Sequence, residues 1–116
     1  MDRPYHFGAD LFFANDTRFA DEIRAFIKHA PNPVQWLVID AGAITDLDYS
    51  AARSVRDLCT ELTQRKVVLI FARVNEYLRA DMERHGIVAV IGAEHIFPKL
   101  HDALATLNHD LIRTEG

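Results

Sequence analysis

The chain has 116 residues, a net charge of -4 at neutral pH and a single cysteine. That length suits one domain with a core of its own, without metal or disulfide staples. The acidic balance excludes the concentrated basic surface that a nucleic-acid binder needs, and one cysteine excludes a disulfide framework.

No apolar run approaches the length of a bilayer span, and the opening MDRPYHFGAD lacks the charged and apolar regions of a secretory signal. By itself the sequence reads as a soluble intracellular domain. Residues 5–7 and 11–13 are short apolar segments split by Gly8, Ala9 and Asp10, which predicts a small hairpin or a bent first strand. Asn15 and Asp16 then supply helix-starting side chains. Phe19, Ile23, Phe26, Ile27 and Ala30 form an apolar stripe, and Pro31 and Pro33 close that helix.

The organising stretch follows. Trp36, Leu37, Val38 and Ile39 are continuously apolar, as in a strand covered on both faces, and Asp40 ends the run. Gly42 relaxes the loop, and Asp46, Asp48 and Ser50 offer short polar side chains suited to capping a helix or lining a site. Ala51, Val55, Leu58, Cys59 and Leu62 then recur at helical spacing. Arg53 to Asp57 and Glu61 to Arg65 stand at the four-residue spacing of ion pairs on the opposite face. Cys59 on the apolar stripe reads as a small core residue.

Residues 67–72, VVLIFA, form a second continuous apolar run, so two buried strands joined by a helix predict a parallel crossover. Asn75 caps a short helix through Leu78, Met82 and His85, stopped by Gly86. Periodicity makes residues 87–91 a third strand, in competition with Ile96 and Phe97 just before Pro98. A last helix carries Leu100, Ala103, Leu104, Leu107 and Leu111 on one stripe. The order of elements predicts a single α/β domain with a largely parallel sheet.

Standard catalytic constellations are missing: there is no Walker loop, G-x-G-x-x-G, G-x-S-x-G or HExxH. The six histidines are scattered singly and read as surface or cap residues. Asp40, Asp46 and Asp48 could hold magnesium beside a phosphate, but turn and cap roles are the more ordinary use of such aspartates. Ser50 stands at the start of the second helix, where free N–H groups favour an anion. It is either a phosphorylation site or phosphate contact, or else it or Asp48 is simply the cap.

The segments LVIDAGAITDLDYSAARSVRDLCTEL, RKVVLIFARV and GAEHIFPKLHDALATL resemble the STAS domain, named for sulfate transporters and anti-sigma factor antagonists. The opening YHFGADLFFANDTRFADEI is more similar to the domains at the carboxyl terminus of SulP-type sulfate permeases than to the free-standing antagonists. The resemblance implies a central, mostly parallel sheet of four to five strands with flanking helices. Within it, Ile96 and Phe97 would be the last short strand and residues 88–91 a turn. The antagonists' phosphoacceptor pattern D-S-S-G aligns with Asp48-Tyr49-Ser50-Ala51, and its first serine and its glycine are replaced.

Two functions are therefore expected in order. The first is a non-catalytic regulatory domain at the cytoplasmic face of the membrane, whose partner is the transmembrane part of its own permease and whose transport unit would precede Met1. The alternative is a free-standing antagonist switched by phosphorylation of Ser50. The resemblance also implies weak binding of GTP or GDP, with magnesium, at the carboxyl edge of the sheet. Asp40, Asp46, Asp48, Ser50, Arg53, Arg73 and Tyr77 would line that site, Arg53 and Arg73 as counter-charges and Tyr77 stacking on the base. Hydrolysis is not expected, for no Walker lysine is present.

Overall fold

The computed structural model describes the backbone of residues 9–13 together with residues 18–31, 33–44 and 47–106. Three strands, β1 (Ala9–Phe13), β2 (Trp36–Asp40) and β3 (Val68–Ala72), lie in the order β1-β2-β3, and both pairings are parallel. Trp36 stands opposite Ala9 on one side and Val68 on the other. Parallel neighbours need long crossovers, and these are α1 (Phe19–His29) and α2 (Tyr49–Gln64). The predicted crossover from β2 to β3 is thus present. Residues 5–7 and the helix-starting Asn15 and Asp16 lie outside the described residues.

β2 is central, which explains its uninterrupted apolar run: both of its faces meet a core. Leu37 and Ile39 pack on one side with Ile23 of α1 and Val55, Leu58 and Leu62 of α2. Val38 points the other way and joins Ile70, Ala72 and Ala103, the last from a helix over residues 100–106. Cys59 is fully buried in the larger core, as its place on the apolar stripe predicts.

α2 stops in a Schellman arrangement. The Val67 N–H donates to Leu62 C=O at 2.9 Å and the Lys66 N–H to Thr63 C=O at 3.0 Å, which places Lys66 in the left-handed region at φ 66°. α3 (Glu76–Arg84) opens on Asn75, whose side chain accepts from the Leu78 N–H at 2.8 Å, as predicted.

Residues 87–91 are a correction to the periodicity reading. They form a short helix, α4 (Ile87–Ile91), between Gly86 at φ 81° and Gly92 at φ 92°. Glycines with positive φ at both ends isolate the five residues as one helical turn. Where the resemblance puts the last short strand, Ile96 makes a single parallel bridge to Phe71 after a 3-10 turn (Ala93–His95), and the turn it implies over residues 88–91 is helical. Among the described residues the sheet therefore has three strands extended by one bridge.

Candidate functional site

Because β2 and β3 are parallel, the loops at their carboxyl ends lie on one edge of the sheet, where open α/β folds bind ligands. Asp40 is the last residue of β2 and is only 3% exposed. A carboxylate so buried needs partners, and among the described residues two donate to it. The Arg73 Nε donates to Oδ1 at 2.8 Å, and the Gly42 N–H donates to the same oxygen at 2.9 Å.

Arg73, just past β3, holds φ 58°, a conformation uncommon for a side chain with a Cβ. Its guanidinium lies over Gly42 so closely that a Cβ there would collide with it. A side chain at position 42 would have to displace the Arg73 guanidinium, so glycine is favoured there by close approach rather than by its φ, which is unexceptional. Arg73 remains 53% exposed in its side chain, so the pair is sealed on the carboxylate side and open on the guanidinium side.

The loop continues to α2. Asp48 caps the helix, its Oδ1 accepting from the Ala51 N–H at 2.7 Å. Of the two candidates for the cap, the aspartate takes the role, and Ser50 lies exposed in the first turn. Leu47 donates its N–H to Asp81 Oδ2 at 3.2 Å, which ties the loop to α3. The Arg84 guanidinium on the other carboxylate oxygen, followed by the Leu47 N–H, holds Asp81 below its ordinary pKa of 3.8.

The predicted site residues are only partly drawn together. Asp40 and Arg73 form one unit, and Asp48 and Ser50 sit side by side at the start of α2. Tyr77, 81% exposed, begins α3 on the same edge. Arg53 is exposed and makes no ion pair among the described residues. The expected Arg53 to Asp57 bridge is absent there, whereas Glu61 reaches Arg24 of α1 at 3.0 Å and Arg65 at 3.9 Å. Asp46 lies outside the described residues.

Asp40 is turned to Arg73 and Gly42, so its place in a magnesium shell is taken by an internal cation. No group of three His, Cys, Asp or Glu gathers among the described residues. Sequence reasoning missed Asp81, whose spacing to Leu47 gives no local signal. It also missed the partnership of Asp40 with Arg73, although a carboxylate closing a buried strand signals that some partner must exist.

Comparison with known proteins follows the same lines. A probable sulfate transporter of Mycobacterium tuberculosis is 32% identical over 100 residues, which is 86% of this chain but only 18% of the transporter. Among solved structures, the STAS domain of a SulP transporter from Vibrio cholerae superimposes with a TM-score of 0.84 at 12% identity, covering 91% of this chain and 85% of that one. The murine Slc26a9 anion transporter in its inward-facing state matches with a TM-score of 0.69 at 14% identity, over 88% of this chain and 18% of the transporter. At such identities the superpositions establish the fold. No described helix is long and apolar enough to cross a membrane. A family profile described as the STAS domain matches residues 3–103, and with the parallel sheet and its helices in place the chain belongs to the STAS domain family.

Proposed function

We propose that the chain is the regulatory domain of a SulP-type sulfate or related anion permease, held at the cytoplasmic face of the membrane and acting on the transmembrane part of the same polypeptide. The observation that carries this reading is the mycobacterial match: most of this chain aligns with less than a fifth of a probable sulfate transporter. The domain performs no chemistry in this reading. Its one buried carboxylate at the strand ends is neutralised by Arg73, and burial pushes its one thiol, on Cys59, up to about 12, which keeps it protonated. Sulfate uptake by cells carrying the full-length gene, with and without residues 3–103, tests it. Unchanged uptake and unchanged transporter abundance would reject a regulatory role.

The finer proposal is weak guanine-nucleotide binding at the carboxyl edge. Exposed Ser50, Arg53 and Tyr77 stand there with the open side of Arg73. Phosphates would meet the amino terminus of α2. Asp48, together with Asp46, opposes bare polyphosphate, so magnesium is needed to bridge, and Asp40 acts by holding Arg73 rather than by touching the ion. Titration with GTP, with and without magnesium, followed by backbone amide NMR, should move residues 41–53 and 73–77. Shifts confined to other residues would reject the site.

A further inference from the structure

The opposite, amino-terminal end of β3 carries a second concavity. Ile96 bridges Phe71, but the residues before it turn away as the 3-10 turn Ala93–His95, so among the described residues the outer side of β3 upstream of Phe71 has no strand beside it. The gap is a wedge of about 250 Å³ between the strand and α4. Val67 and Leu69 form one wall and Val90 and Ile91 the other, with Lys66 and His95 among the lining residues.

Three features give the wedge a chemistry. Its walls are apolar. Backbone groups of a parallel strand alternate between its two neighbours, and Val68 donates to Gln35 on the β2 side at 2.9 Å, so the N–H of Leu69 faces the open edge. Lys66 is exposed and makes no ion pair among the described residues; the Schellman turn fixes its backbone beside the wedge, which its side chain helps to line. His95 adds no competing anion, and its Nδ1 is engaged with the Ile91 C=O at 2.6 Å.

We propose that this wedge binds a small aliphatic carboxylate, its hydrocarbon part between Leu69 and Val90 and its carboxylate at Lys66. An added peptide strand fits less well. Ile96 occupies the edge from Phe71 onward and the Val67 N–H is already given to the Leu62 C=O, which among the described residues leaves the Leu69 N–H as the open donor upstream, too short a row for strand pairing. The volume of about 250 Å³ falls just below the range of drug-sized ligand pockets, about 300 to 1,000 Å³, and so suits only a short chain.

The test is titration of the chain with hexanoate, hexanol and hexylamine, read by backbone amide NMR. Hexanoate should give saturable shifts at residues 66–69, 90–91 and 95 and leave residues 41–53 unmoved. Hexanol should bind the same residues about fivefold more weakly, the size of one exposed ion-pair contribution. Lys66→Gly, which suits the left-handed backbone, should reduce hexanoate affinity to that of hexanol, and Lys66→Arg should restore it. Val90→Trp should fill the wedge and abolish both. Absent or non-saturable shifts at these residues, equal binding of hexylamine, or hexanoate affinity indifferent to Lys66→Gly would each overturn the proposal. Failure here leaves the carboxyl-edge reading intact, because the two sites report through different amides.

Discussion

Asp40 and Arg73, 33 residues apart in sequence, meet in an ion pair of 2.8 Å that ties the end of β2 to the residue after β3. Removing either partner has unequal effects. Arg73→Ala leaves a buried carboxylate with the Gly42 N–H as its donor among the described residues and should cost about 2 kcal/mol, between the values for exposed and fully buried pairs. Asp40→Asn, which keeps the shape and removes the charge, should cost less. Gly42→Ala should destabilise the wild type by displacing the guanidinium yet be within about 0.5 kcal/mol of neutral in the Arg73→Ala background. Urea unfolding of the four proteins of that cycle checks it; additive effects would mean that the close approach is not the cause.

Among the described residues, Lys66 and Arg73 hold positive φ with a side chain, and they should answer oppositely to glycine. Lys66→Gly relieves the left-handed strain at the end of α2 and should stabilise by about 0.5–1 kcal/mol. Arg73→Gly relieves the same kind of strain but removes the partner of Asp40, and its net effect should be destabilising. Thermal unfolding of the two variants side by side gives the signs.

At the start of α2, Asp48→Ala should cost about 1 kcal/mol through loss of the cap on the Ala51 N–H. Ser50→Ala should stay within about 0.5 kcal/mol of wild type, since its exposed side chain does not cap the helix. Chemical denaturation that found Ser50 the costlier loss would reverse this assignment.

The thiol of Cys59 is pushed from 9.0 to about 12 by burial. A pKa raised on folding contributes stability that is fully present below pH 9.0 and lost as pH rises toward about 12, because the unfolded thiol ionises first. Native protein at pH 8 should resist thiol reagents on the timescale at which urea-unfolded protein reacts fully. Cys59→Ala should flatten the alkaline limb of the stability curve.

Asp81 works in the other direction. Its carboxyl is held below 3.8, first by the Arg84 guanidinium, so its contribution is present above that value and is lost as pH falls through the lower folded pKa. Acid titration followed by circular dichroism should show a shallower loss below about pH 4 in Asp81→Asn than in wild type.

The sequence made the β2–α2–β3 unit legible because both strands are covered on two faces and α2 has a clean apolar stripe, patterns that local periodicity carries. Residues 87–91 were not decidable that way. Five apolar residues fit a strand or a helical turn equally, and the glycines with positive φ on either side made the choice. At the candidate site, their places at the carboxyl ends of two strands nominated Asp40 for magnesium and, under the resemblance, Arg73 as a counter-charge for phosphate. Only the register of β2 against β3 reveals that they neutralise each other. The bridge from Arg53 to Asp57 had the right spacing and did not form. An exposed pair gains too little to hold two long side chains still, whereas Glu61 is drawn to Arg24 across the contact between α1 and α2.

Parallel pairing throughout the described sheet also sets an order of events. No two of these strands can meet through a tight turn; β1 must wait for the 11 residues of α1 and β3 for the 16 residues of α2 before either can find β2. Contacts of that separation slow the search, so refolding belongs with mixed α/β domains rather than with helical bundles. Once the sheet is assembled, β2 is flanked by a strand on each side and by packed side chains on both faces. Its amides should be the last in the molecule to exchange with deuterium, opening only when the whole domain does.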